Sequence, residues 1–87
     1  MDFDKIIKYG DHTRFFFYKE NLPKVAGPWY EEVKHIANEL YDMGLRTQAK
    51  KFVELAYLHL HNKDFARYTI VRHQYGGLIN DYESGKN

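Results

Sequence analysis

The sequence contains five histidines, and an imidazole can ligate a metal ion or carry a proton near neutral pH. His59 and His61 lie two positions apart, so on a helix they point in different directions and cannot bind one ion from the same face. The chain has no cysteine. It also lacks a His-Glu-x-x-His pair and an Asp-rich loop. The sequence therefore predicts no metal site and no cofactor.

Two histidines stand beside a cation, which is the pairing that metal-independent RNA cleavage requires. These pairs are His12 with Arg14 and His73 with Arg72. Nothing else in the sequence supports catalysis, since no G-x-S-x-G elbow, Walker loop or Gly-rich phosphate turn is present. We therefore predict no catalytic residues. A small histidine nuclease is the least favoured of the functions considered.

Basic side chains are concentrated in the middle of the chain. Residues 44–75 contain six Lys or Arg and two Asp or Glu. Residues 1–43 also contain six Lys or Arg, but they contain eight Asp or Glu. This asymmetry indicates an anionic partner for the middle segment. Two tyrosines among the cations are expected at the margins of the apolar stripes, where a ring could stack on a base. The candidate binding residues are Arg46, Lys50, Lys51, Tyr57, Arg67, Tyr68, Arg72 and His73.

An ordinary solvated face explains the same cluster equally well. The net charge is only +1, and general nucleic-acid binders are usually far more basic. A local patch that meets an acidic protein or a short stretch of nucleic acid fits this balance better.

The run Phe15-Phe16-Phe17-Tyr18 is the other candidate for a contact surface. Four consecutive rings cannot all face one side of a helix or strand. One or two of them should therefore be exposed or covered by a second chain, which leaves a homodimer open. The alternative is a segment enclosed between layers of the domain.

Two helices that form an antiparallel hairpin are predicted around Gly44. The first runs from Pro28 to Met43, because Pro suits the first helical position and Gly suits the left-handed residue after a helix. The second runs from an N-cap at Thr47 to about Asn62. Apolar residues on both follow helical spacing. Leu55 and Leu58 lie off the second stripe, so this helix should have neighbours on more than one side.

A third helix is predicted from a cap at Asp64, with a break or bend at Gly76-Gly77 because glycine is unfavourable within helices. Residues 68–71 also have strand propensity. The first 27 residues are less determined. A short helix is expected over Phe3–Tyr9, residues 13–18 form either a strand or a helical turn, and Asn21-Leu22-Pro23 should end that segment.

The hairpin resembles one unit of the tetratricopeptide repeat family. Leu40-Tyr41-Asp42-Met43-Gly44 carries the resemblance, followed by Ala49 and Phe52, and it covers about a third of the chain. Repeat folds need about three units to bury their faces, and the sequence contains no second copy. The resemblance therefore implies a helical hairpin and carries no function.

The 87 residues predict one domain of the mostly all-α class: a compact three- or four-helix domain built on the antiparallel hairpin, with a short N-terminal strand as an option and residues 83–87 as a disordered tail. No apolar run approaches the ~18 residues of a membrane span. The charged N-terminus and the absence of cysteine predict a cytoplasmic protein.

The first functional hypothesis is a small, non-enzymatic regulatory or inhibitory protein that acts through protein–protein contact. Its tyrosines would anchor the partner, and its Arg and Lys would orient it. Small Tyr- and Lys-rich proteins without cysteine occur among phage and mobile-element regulators, so a similar origin is expected. The alternative is an RNA- or DNA-binding protein that uses the basic helical face.

Overall fold

The structure is a computed structural model that describes the backbone of residues 12–85 and the side chains of residues 17–81. This part of the chain is helical throughout, which confirms the predicted all-α class, and residues 13–18 form helix rather than strand. The helix predicted over residues 3–9 lies outside the described residues. The helices are α1 (His12–Ala26), α2 (Tyr30–Asp42), α3 (Arg46–His61) and α4 (Phe65–Gly85), with a 3₁₀ turn at Gly27–Trp29 between α1 and α2.

The turn between α2 and α3 forms around Gly44, as predicted. Gly44 has φ +84°, its N–H donates to the Tyr41 carbonyl at 3.0 Å, and the Leu45 N–H donates to the Leu40 carbonyl at 2.9 Å. This pair of bonds is the Schellman motif, which satisfies the last carbonyls of a helix. The N-cap predicted at Thr47 is wrong. Leu45 occupies that position, because α3 begins directly after the motif.

The turn between α3 and α4 repeats the motif with a lysine in the left-handed position. Lys63 has φ 57° and donates to the Leu60 carbonyl at 3.1 Å, while the Asp64 N–H donates to the His59 carbonyl at 2.8 Å. The Asp64 carboxylate then accepts from the Arg67 N–H at 3.1 Å, which confirms the predicted cap. The two tight turns hold α3 antiparallel to both α2 and α4.

Helix α3 is the centre of the domain, because it packs against α1, α2 and α4. Its predicted stripe is buried at Ala49, Phe52, Val53, Ala56 and Leu60. The expectation of neighbours on more than one side is therefore confirmed for this helix. Around it the core is completed by Tyr18, Leu22 and Ala26 from α1, Val33, Ile36, Ala37 and Leu40 from α2, and Tyr68 and Val71 from α4.

Two predicted interruptions are absent from the described helices. Helix α1 continues through Pro23 to Ala26, although Asn21-Leu22-Pro23 was expected to end it. Helix α4 continues through Gly76-Gly77 without the break that was one of the two expectations there. In both places side chains that pack in or against the core lie on each side of the weak residue. The buried residues Leu22 and Ala26 flank Pro23, and the partly buried residues Tyr75 and Ile79 flank the glycines.

Helix α4 ends at Gly85. Residues 83–85 of the predicted tail are therefore helical in backbone, and residues 86 and 87 lie outside the described part. None of the helices that the structure describes is long and apolar enough to cross a membrane.

The glycine pair leads to a prediction about stability. A Cβ at Gly77 would have no neighbour within 4 Å, and Ala is favoured over Gly within helices. Gly77→Ala should therefore raise the free energy of unfolding by about 0.5–1 kcal/mol. Urea denaturation followed by circular dichroism measures this change. The matched control is Gly44→Ala, which should lower it because φ is positive there; a loss of stability in Gly77→Ala would contradict the prediction.

Candidate binding surface

Tyr68, one of the predicted binding residues, lies in the core. Its side chain is fully buried, and its hydroxyl donates to Glu32 Oε1 at 2.6 Å. The Trp29 ring lies 5.4 Å from the Tyr68 ring, centroid to centroid. The expected position at a stripe margin is therefore wrong, and the Tyr68 ring is not available to stack on a base.

Arg72 has partners within the domain. Its Nη1 lies 3.3 Å from Glu32 Oε2 and 3.4 Å from Oε1, and its guanidinium lies 5.6 Å from the centre of the Trp29 ring. The Glu32 carboxylate thus accepts hydrogen bonds from the Tyr68 hydroxyl and from the Arg72 guanidinium, both of which belong to α4. This cluster fixes α4 against the start of α2, and it reduces the positive charge that Arg72 presents to solvent.

Arg67, the remaining arginine of α4, is separated from the start of α3. Arg67 Nε lies 3.4 Å from Asp64 Oδ2, and His73 is exposed on the outer side of α4. In an antiparallel pair, Arg46 at the start of α3 and Arg67 at the start of α4 lie roughly 20 Å apart along the helix axes, since a helix rises about 1.5 Å per residue. The eight predicted residues therefore do not form one surface.

Three cations remain together at the N-terminal half of α3. Lys51 is exposed and Lys50 is half-buried. The Arg46 guanidinium lies 5.4 Å from the centre of the Tyr41 ring on α2. These three basic residues cover a smaller area than the eight residues that the sequence predicted.

A second group of side chains lies towards the other end of α3. The Tyr57 ring lies 5.2 Å from Phe17 and 5.1 Å from Tyr18 on α1, and it stacks on the exposed His61 ring at 5.7 Å and 21°. His61 follows Tyr57 by four positions and Leu58 by three, so it is the helical neighbour of both. We call Phe17, Tyr57, Leu58 and His61 the aromatic patch.

The aromatic patch exposes apolar surface. Phe17 is 48% exposed to solvent and Leu58 is 50% exposed. Phe17 confirms that at least one ring of residues 15–18 is exposed, whereas its neighbour Tyr18 is buried. Leu58 was expected to face a neighbouring helix, but the four helices leave one strip of α3 open, and Leu58 lies on that strip.

Lysines continue the same strip. Lys50 precedes Tyr57 by seven positions and Lys51 precedes Leu58 by seven, which places each pair on one helix face. Glu54 lies between them, and Lys63 follows in the turn after α3. The outward face of α2 has the opposite charge, with Glu31, Glu39 and Asp42, although Lys34 Nζ lies 3.5 Å from Glu31 Oε2.

Within the described part of the chain, no group of three or more His, Asp or Glu side chains could hold a metal ion, and no pocket is found there. Comparisons with protein families, curated proteins and solved structures find no match to this chain.

Sequence reasoning missed the aromatic patch because its members come from distant parts of the chain. Phe17 and Tyr57 are separated by forty positions, and no periodic pattern relates them. The available signals were the aromatic run and the position of Leu58 almost opposite the apolar stripe. Both indicate exposed apolar surface without showing that the two surfaces meet.

The Tyr68 cluster leads to a prediction at alkaline pH. Burial raises the pKa of Tyr68 well above its usual value, and the hydrogen bond to Glu32 raises this pKa further. Above about pH 10 the unfolded chain loses a proton that the folded protein keeps, so the free energy of unfolding must fall as pH rises. Below that pH the phenol is protonated in both states and contributes no slope.

Tyr68→Phe should therefore change both the free energy of unfolding at pH 7 and its dependence on pH above 10. Loss of the hydrogen bond should lower the free energy of unfolding at pH 7 by about 1–2 kcal/mol. The decline above pH 10 should become shallower than in the wild type. Urea denaturation at pH 7, 9 and 10.5 measures both quantities, and equal slopes in the two proteins would count against the proposed cause.

Proposed function

We propose that the protein is a small binding protein that acts through protein–protein contact, with the aromatic patch at the centre of the interface. The observation that carries this proposal is the exposure of Phe17, whose ring contacts Tyr57, and of Leu58, which precedes His61 by three positions on the same helix. Exposed aromatic and aliphatic side chains held rigidly together are typical of interface hot spots. Occupation of a partner's surface would then block or recruit that partner, which is a regulatory role.

The packing of Tyr57 favours this function. Side chains that are already ordered lose little conformational freedom on binding. The Tyr57 ring is held by Phe17, Tyr18 and His61, so a partner meets a surface whose geometry is largely set. Burial of apolar area contributes roughly 25 cal/mol per Å², so covering Phe17 and Leu58 would supply much of the binding free energy.

Nucleic-acid binding, the alternative, receives less support from the same geometry. Base recognition by single-strand binders uses aromatic rings with an open face. Tyr68 is buried, and Tyr57 is contacted by three other rings. The cations that remain near one another are Arg46, Lys50 and Lys51, which would give a weak, salt-dependent contact with phosphates.

The test is affinity capture from a lysate with two matched variants. Leu58→Glu places a charge in the aromatic patch, and Ile70→Glu makes the same change on the outer face of α4, where Ile70 is 58% exposed. Both residues are exposed, so the free energy of unfolding of each variant should lie within about 0.5 kcal/mol of the wild-type value. Leu58→Glu should lose the captured protein, whereas Ile70→Glu should retain it.

Nuclease treatment separates the two functions. A protein partner retained after nuclease and lost only in Leu58→Glu supports the proposal. Capture that disappears with nuclease supports the alternative. Capture that survives Leu58→Glu and disappears in Ile70→Glu would move the interface to α4 and overturn the proposed site.

A further inference from the structure

Helix α4 has large apolar side chains on two sides. On one side Tyr68 and Val71 are buried in the core, and Tyr75 and Ile79 pack against it. A second set of side chains lies roughly 100° further around the helix and is exposed to solvent. We call this set the α4 face, and it consists of Arg67, Ile70, Gln74, Leu78 and Asp81. Apolar residues on more than one side are typical of a helix that is covered on more than one side.

The α4 face is a single stripe along the helix, because its members are three or four positions apart. Ile70 is 58% exposed and Leu78 is 39% exposed. Gly77, which also lies on the stripe, adds no side chain to it. Four steps cover the fourteen positions from Arg67 to Asp81, so the mean spacing is about 3.5 positions, which is the value for helices that pair along their length.

The α4 face has the same spacing in both directions from Gln74. Arg67 and Asp81 each lie seven positions from Gln74. Ile70 and Leu78 each lie four positions from it. Two copies of α4 that cross antiparallel at Gln74 therefore bring Arg67 of one protomer beside the partner's Asp81, and Ile70 beside the partner's Leu78. Each contact then occurs twice, as a two-fold axis requires.

The charges of the α4 face select the antiparallel orientation. A parallel pair would place each Arg67 beside the partner's Arg67 and each Asp81 beside the partner's Asp81, which is unfavourable. A contact with an unrelated protein does not require this symmetric arrangement, whereas a contact between two copies of one helix does. The arrangement therefore favours a second copy of the chain.

Arg67 also has an interaction within its own chain. Its Nε lies 3.4 Å from Asp64 Oδ2, but the Arg67 side chain is 73% exposed. An exposed pair of this kind contributes little to stability, and a guanidinium carries five N–H donors. Arg67 can therefore donate to a carboxylate of a second molecule while Asp64 remains beside it.

We propose that the α4 face is the interface of a symmetric homodimer, in which two copies of α4 pack antiparallel about a two-fold axis at Gln74. One helix face is smaller than the ~800 Å² per partner of a standard interface, so we expect a dissociation constant on the order of 10–100 µM. The inference does not rest on the proposed function, because the aromatic patch lies on α1 and α3. A dimer would carry two aromatic patches and would bind a partner with two sites more tightly than the monomer does.

Analytical ultracentrifugation of the full chain tests the proposal. Between about 5 and 500 µM the mean mass should rise from that of the monomer towards twice that value. Ile70→Glu should weaken self-association at least about 10-fold, since the two-fold axis makes each substitution act twice. Leu58→Glu is the matched control, because it places the same charge at an exposed residue outside the α4 face, and it should dimerise as the wild type does.

A charge exchange tests the antiparallel orientation. Arg67→Asp should weaken self-association about 10-fold at low salt, because it places two carboxylates together at both ends of the interface. The double variant Arg67→Asp/Asp81→Arg should return to within about 3-fold of the wild type. The double variant does not restore the pair with Asp64, so its recovery can come only from the contact between protomers. Circular dichroism of each variant confirms that it is folded.

A single cysteine tests the position of the axis. The chain has no cysteine of its own, and Gln74 would face the partner's Gln74. Helices packed about 8–10 Å apart bring facing Cα atoms within the reach of a disulfide. Gln74→Cys should therefore form a linked dimer under mild oxidation, whereas Lys51→Cys on α3 should remain mainly monomeric.

A monomer at every concentration would overturn the proposal. A dimer that persists in Ile70→Glu, or one that dissociates in Leu58→Glu, would overturn it as well, since the contact would then lie elsewhere. So would a double charge variant that stays as weak as Arg67→Asp. These results are separable from the proposed function, because capture of a protein partner through Leu58 does not require the α4 face.

Discussion

The packing of three helices around α3 is the constraint on which the rest of the structure depends. Phe52 and Val53 are completely buried, and the small residues Ala49 and Ala56 beside them let neighbouring helices approach closely. A buried side chain of this kind stabilises the fold by about 1.5–3 kcal/mol. The stability of a small domain therefore depends on close packing of these few core side chains. Since α1, α2 and α4 occupy the other sides of α3, only one strip of this helix remains in contact with solvent. The position of Leu58 and the lysines on that strip is a direct consequence of how the core is filled.

The same constraint explains which parts of the fold follow from the sequence. The α2–α3 hairpin was predictable because Gly44 marks the turn locally, through a backbone conformation that few other residues adopt. Helices α1 and α4 were predicted to be interrupted because Pro23 and Gly76-Gly77 are locally unfavourable. Local helix propensity contributes little to the free energy, however, and the packing of neighbouring residues such as Leu22 and Ile79 contributes more. A rule that weighs each residue alone gives the wrong result where the core extends past a weak residue on both sides.

The candidate surface was less predictable than the fold, because some of the cations are paired with carboxylates. The excess of cations in residues 44–75 is real, but Arg72 is matched by Glu32, which lies forty positions earlier in the chain. Arg67 is matched by Asp64 within one helical turn. A count over residues 44–75 leaves Glu32 out of the balance, so it treats Arg72 as available although its partner lies in the other segment. Lys51 stays exposed because it lies on the strip that the core leaves open.

The aromatic patch combines rigidity with exposure, and these properties usually conflict. An exposed ring generally gains little from its neighbours, whereas Tyr57 contacts rings on α1 and α3 and so stays ordered at the edge of the core. The order of the Tyr57 ring is therefore set by contacts within the domain, while Phe17 and Leu58 beside it leave about half of their area open to solvent.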